Sequence, residues 1–174
     1  LLELLSALAH AHARGVIHRD IKPANILAST SAGPPWLLAD FGTAHALDLE
    51  SEDDRRWAGV GTPRYMAPEQ IRRQLHRQGP WTDLFALGCM ARELALGRPV
   101  HQGLDHHQIL STQLAAAPVL LEGIDPDYQD WLSRMTAADP LDRFRSAADA
   151  ARALRAVTTA VSYTHLRAHE TDTD

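Results

Sequence analysis

The chain has 174 residues, 45% of them apolar and 22% charged, the scale of one globular domain around a single core. Its formal charge of -5, with arginines mixed among carboxylates, leaves no basic stripe of the kind that nucleic acid requires. No stretch approaches the roughly 18 apolar residues of a membrane span, and a single cysteine, Cys89 in the apolar run Leu84 to Met90, excludes an internal disulfide and reads as a core residue of a protein in a reducing compartment.

Leu1, Leu2, Leu4, Leu5, Leu8, Ala9 and Ala11 recur at helical spacing, with Gly15 placed to end the helix. The pattern opens without a cap, so the chain's beginning reads as a cut through a longer protein. Three short apolar runs follow, Val16-Ile17, Ile26 to Ala28 and Trp36 to Ala39, and are expected as short strands, with Ser29 to Pro35 a turn between the last two. Gly42 to Pro80 shows no sustained period, and a loop of that length in a compact domain is usually functional or mobile. Thr82 is expected to cap a buried helix that runs to Leu96 and stops at Gly97. Further helices are expected over 105–114, 126–135 and 147–157, the last opened by a capping box of Ser146 and Asp149. The ten histidines include His106-His107 and His10-x-His12, neither spaced as two ligands on one helix face with others nearby, so a metal site built on them is not expected.

Chemistry concentrates in His18-Arg19-Asp20-Ile21-Lys22-Pro23-Ala24-Asn25, where Pro23 disfavours a regular helix and favours a loop. That loop offers a carboxylate, a cation and a hard oxygen ligand to one space. Phosphoryl transfer needs such parts: a base for the attacking hydroxyl, positive charge for the phosphoryl oxygens, and oxygen donors for magnesium. A second carboxylate follows in Asp40-Phe41-Gly42, where Gly42 permits the turn that aims it.

These residues, followed by Ala67-Pro68-Glu69, match the protein-kinase signature in type, order and spacing. The resemblance covers roughly residues 1 to 157 and continues in Trp81-Thr82-Asp83-Leu84-Phe85-Ala86-Leu87-Gly88-Cys89 and Asp139-Pro140-Leu141-Asp142-Arg143. It implies a mainly α fold: the C-terminal lobe of a kinase, a helical bundle with short β-ribbons at the catalytic cleft, over residues 1–160. It further implies Asp20 as catalytic base, Lys22 on the transferring phosphate, Asn25 and Asp40 on magnesium, and Leu27 against the adenine of ATP. His18, Arg19, Phe41 and Gly42 then belong to the site's frame, Asp83 to the anchor of the catalytic loop, and Arg143 pairs with Glu69. Lys22, two residues beyond the base, and Thr62 in Gly61-Thr62-Pro63 resemble the serine/threonine class, and the surrounding phrases look most like its bacterial members. The implied partners are ATP, magnesium and a protein substrate, in a cytoplasmic chain whose remaining regions could carry a membrane anchor.

Departures matter equally. The family's N-terminal lobe supplies a glycine-rich loop and a strand lysine, whereas Lys22 is the one lysine of these 174 residues. The chain by itself is therefore expected to be inactive, and a pseudokinase or docking scaffold stands as the alternative to an enzyme. Arg19 ahead of Asp20 is the pattern that commonly calls for a phosphate in the following loop. Ser51, within the acidic run Glu50 to Asp54, is the candidate, beside the alternatives that a neighbouring carboxylate serves or that the loop is simply an acidic surface. Residues 161–174 resemble a translated sequencing-library adapter and are expected not to belong to the protein.

Overall fold

The computed structural model describes residues 1–29, 33, 35–41, 63–115 and 120–170, with side chains as far as 159. Among the described residues six helices carry the fold: α1 (Leu2–His12), α2 (Pro68–Ile71), α3 (Pro80–Leu96), α4 (His106–Ala115), α5 (Pro126–Met135) and α6 (Ala147–Glu170). They are joined by single 3-10 turns and by one antiparallel hairpin of β1 (Ile26–Ala28) and β2 (Trp36–Leu38). Ile26 faces Leu38, Leu27 faces Leu37 and Ala28 faces Trp36. Two further bonds extend the ladder, from Ser29 N–H to Pro35 C=O at 2.8 Å and from Ala39 N–H to Asn25 C=O at 2.9 Å.

Helix α1 ends through Gly15, whose φ of 75° is the left-handed conformation that glycine adopts without steric cost. The Gly15 N–H bonds the His12 carbonyl at 2.9 Å and the Val16 N–H bonds the Ala11 carbonyl at 3.1 Å, the paired bonds of a Schellman motif. That motif explains why Val16-Ile17 forms no strand. The Val16 N–H is spent on the helix end, and the N–H groups of His18 and Arg19 are spent on a side chain, so no ladder is available to them.

Helix α3 is buried on nearly every face from Thr82 to Arg92, as a helix enclosed by others must be. It starts two residues before the expected cap. Gly79 is the N-cap and Pro80 takes the first helical position, where its missing N–H costs nothing. Thr82 lies one turn inside and reaches back, its Oγ1 accepting from the Gly79 N–H at 3.0 Å. The helix stops at Gly97, φ 64°.

Leu4, Leu5 and Leu8 of α1, Leu84 and Leu87 of α3, Trp131, Leu132 and Met135 of α5, and Ala150 and Leu154 of α6 form one continuous core. The Trp131 indole N–H is satisfied by the Ala150 carbonyl at 2.9 Å. Helix α5 has the expected bounds, with Asp125 capping it through the N–H groups of Asp127 and Tyr128. Helix α6 opens at Ala147 with Ser146 Oγ accepting from the Asp149 N–H, but runs on to Glu170 rather than ending near Val157. No glycine or proline follows Pro140, so nothing in the local sequence breaks it. Among the described residues no helix is long and apolar enough to cross a membrane.

Candidate active site

Residues 18–25 form a loop clamped from below by α3. Asp83, fully buried, accepts from the His18 N–H at 2.9 Å and from the Arg19 N–H at 2.7 Å, while its Oδ2 also meets His12 Nε2 at 2.8 Å. A buried carboxylate tolerates its position only when its oxygens are occupied in this way. His12, one of the histidines of the His10-x-His12 pair, thus serves the anchor from α1. Arg19 has φ of 65°, a left-handed conformation costing a non-glycine residue about 1–3 kcal/mol, and the two bonds from Asp83 help hold it there.

His18 is buried as well, with Nε2 2.8 Å from the Ala39 carbonyl and Nδ1 3.3 Å from the Asp20 N–H. A carbonyl only accepts and an N–H only donates, so the proton sits on Nε2 and Nδ1 accepts. The ring also packs against Phe41, centroids 4.5 Å apart. One side chain therefore ties the Asp20 loop to the turn that carries Asp40, which is itself left-handed with φ of 62°.

Above this frame Asp20 Oδ2 accepts from Lys22 Nζ at 2.7 Å and from Asn25 Nδ2 at 3.1 Å. Asn25, nearly buried, also donates to the Asp20 main-chain carbonyl at 2.7 Å. Between them Ile21 points into the core, so that Asp20 and Lys22 are left partly exposed on one side. Both Asn25 donor bonds come from Nδ2, so its amide oxygen remains a hard donor of the type magnesium takes, and Asp40 is an exposed carboxylate two residues beyond β2. The donor chemistry fits a magnesium ion. Leu27 is half-exposed on the hairpin that lies beside the loop. Gly42, Ser51 and Thr62 lie outside the described residues.

The second anchor lies at α2. Glu69 and Arg143, each 1% exposed, form a two-pronged pair at 2.8 and 2.9 Å. Thr82 Oγ1 donates to Glu69 at 2.9 Å, and Arg143 donates its other N–H groups to the carbonyls of Ala137, Trp81 and Ala138 while its guanidinium lies over the Phe85 ring. Sequence reasoning missed several partners here. Thr82, read as a cap, also holds Glu69. Gln70 bonds the Arg19 carbonyl, and Gln113 of α4 donates to the carbonyls of Arg64 and Met66. Tyr65 donates to Glu93 at 2.7 Å, and burial, followed by that carboxylate, pushes its phenol well above the usual range. A polar residue on an otherwise apolar helix face was the signal for Gln113; nothing local marks its partner.

The family model described as protein kinase domain matches residues 1–166. The chain belongs to the protein kinase family. Among curated kinases it is 35% identical over 156 residues to the serine/threonine-protein kinase PkaA of Streptomyces coelicolor, covering 89% of this chain and 28% of that one. It is 32% identical over 147 residues to the rabbit calcium/calmodulin-dependent protein kinase type II subunit delta, covering 81% and 27%. This kinase-family chain thus spans between a quarter and a third of the length of those relatives.

Proposed function

We propose that this chain supplies the catalytic half of a serine/threonine protein kinase: residues 1–160 are its C-terminal lobe, and with ATP it phosphorylates protein hydroxyls. The observation that carries the reading is the bonded set of Asp20, Lys22 and Asn25 on a loop whose backbone Asp83 fixes. A scaffold has no physical need for a base, a cation and metal-type oxygens held in one place. Asp20 takes the proton of the attacking hydroxyl as its oxygen bonds the γ-phosphorus and ADP leaves with the electrons of the broken P–O bond. Lys22 stabilises the transferring phosphoryl group. In the present arrangement it rests on Asp20, and a partly exposed pair is worth only about 0–1 kcal/mol, so little opposes its transfer to phosphate.

Asn25 and Asp40 would hold magnesium, which supplies charge neutralisation at the phosphates. Leu27 offers the apolar surface for adenine. Lys22 itself supports the serine/threonine choice, as does the name of the Streptomyces relative. Cys89, buried and with its thiol pushed up by burial, suits a cytoplasmic setting.

The test is phosphotransfer by the full-length protein from ATP and magnesium to serine, threonine and tyrosine peptides, with Asp20→Asn beside it. Loss of about 10²–10⁴-fold in kcat at unchanged melting temperature is expected. A folded full-length protein with no activity at all would favour the docking-scaffold reading instead. The proposal for segment 42–62, that Ser51 or a carboxylate from Glu50 to Asp54 neutralises Arg19, is tested by Ser51→Ala in the same assay. Lost activity assigns Ser51, and retained activity leaves the carboxylates or an acidic surface.

A further inference from the structure

Gln70 is the third residue of α2, next to Glu69, whose carboxylate is fixed by Arg143 and Thr82. Its amide makes two bonds of opposite sense: Oε1 accepts from the Ala67 N–H at 3.0 Å, and Nε2 donates to the Arg19 carbonyl at 2.7 Å. Reversing the amide would set donor against donor and acceptor against acceptor, so the two contacts fix its orientation together. The first bond satisfies an N–H at the start of α2. The second crosses to the loop that carries Asp20, and helix capping does not explain it.

The peptide between Arg19 and Asp20 sets the direction of the Asp20 side chain. Its carbonyl is held by Gln70 and its N–H by His18 Nδ1, while Asp83 holds the N–H of the preceding peptide. Arg19, in the left-handed region, lies between these restraints and does not favour that conformation unaided. We propose that Gln70 is a positioning residue for phosphoryl transfer, aiming Asp20 through the Arg19 carbonyl and making that aim depend on the docking of α2. The inference rests on the reading of Asp20 as the base. Through it, the seating of the Glu69 anchor at the far end of segment 42–62 is transmitted to the catalytic loop.

Two substitutions separate the bonds. Gln70→Glu keeps the size and the acceptor for Ala67 but sets a carboxylate oxygen against the Arg19 carbonyl. Gln70→Lys keeps a donor for that carbonyl, cannot accept from Ala67, and places a cation at a helix N-terminus. In the full-length protein, Gln70→Glu is expected to lose about 10–100-fold in kcat, the scale of a misplaced catalytic group, with KM for ATP and melting temperature unchanged. The ratio of its rate to the parent's should rise as pH falls, because a protonated carboxyl regains an O–H donor. Gln70→Lys is expected to melt earlier while keeping kcat near the parent's. Gln70→Glu as active as the parent, a rate ratio flat with pH, or both variants losing kcat in step with stability would overturn the role. If Gln70→Glu melts early, Gln70→Lys decides: kcat near the parent's supports positioning and a lost kcat overturns it. Asp20→Asn run alongside separates the two levels. An active Asp20→Asn removes the base reading and this inference with it, whereas an inert Asp20→Asn beside a fully active Gln70→Glu removes only the role of Gln70.

Discussion

Arg143 donates five hydrogen bonds in a site with almost no access to water, two to Glu69 and three to backbone carbonyls. Removing one partner of such a pair strands the other as an uncompensated buried charge, which costs about 3–5 kcal/mol. Glu69→Ala and Arg143→Ala are each expected to lose that much in denaturant unfolding, and the double substitution less than their sum. Additive losses would show that the two do not act as a pair. Cys89 shows the opposite condition. It is buried, and its thiol is pushed up by desolvation ahead of the charges around it, so little thiolate forms. It should resist alkylation in the folded chain and react once denatured, and fast labelling of the native protein would contradict its burial.

At the scale of elements, Gly88 decides how closely α3 approaches α5. A Cβ added there would lie 2.7 Å from Met135 Cβ and 2.7 Å from Thr136 Cγ2, closer than real carbon contacts allow. Gly88→Ala therefore forces the two helices apart and should cost about 1–3 kcal/mol by thermal or denaturant unfolding; a neutral result would mean that the helices slide apart freely. The helical elements were legible because their signals are local: Asp125 and Pro126 open α5, and Gly97 closes α3. What was not legible depended on groups distant in sequence. Val16-Ile17 has strand composition, but the Val16 N–H goes to the Ala11 carbonyl and the His18 N–H to Asp83, and no short window of residues contains both partners. Likewise Asp20, Lys22 and Asn25 were marked by their spacing, whereas His12 and Gln70, which touch Asp83 and Arg19 across long sequence separations, carry no local mark.

Over the whole molecule, several large apolar residues are left exposed on the hairpin, while Leu75, Leu94, Leu104, Leu120 and Leu141 are exposed elsewhere among the described residues. Leu27 at 50%, Leu37 at 46% and Trp36 at 47% exposure share the hairpin, and Phe41, three residues beyond β2, is also exposed. Leu27 and Leu37 are directly paired across the strands, so their side chains stand on the same face. An exposed apolar pair on one face of a two-stranded sheet, with Trp36 exposed on the other, invites self-association. On the proposed reading of residues 1–160 as a C-terminal lobe, residues 1–174 expressed alone are expected to show no phosphotransfer, since Lys22 is their one lysine. They are also expected to aggregate through this face. Leu27→Lys combined with Leu37→Glu sets opposite charges opposite each other on it, a pairing worth a few tenths of a kcal/mol at most, and leaves the helical core untouched. The doubly substituted chain should scatter less light at equal concentration and melt at the same temperature as the parent. Deleting 161–174 should change neither quantity, if those residues are foreign to the fold, and thereby separates the tail from the hairpin as a cause of association. Aggregation that persists in the double substitution but vanishes with the tail would place the sticky surface at the end of α6 instead.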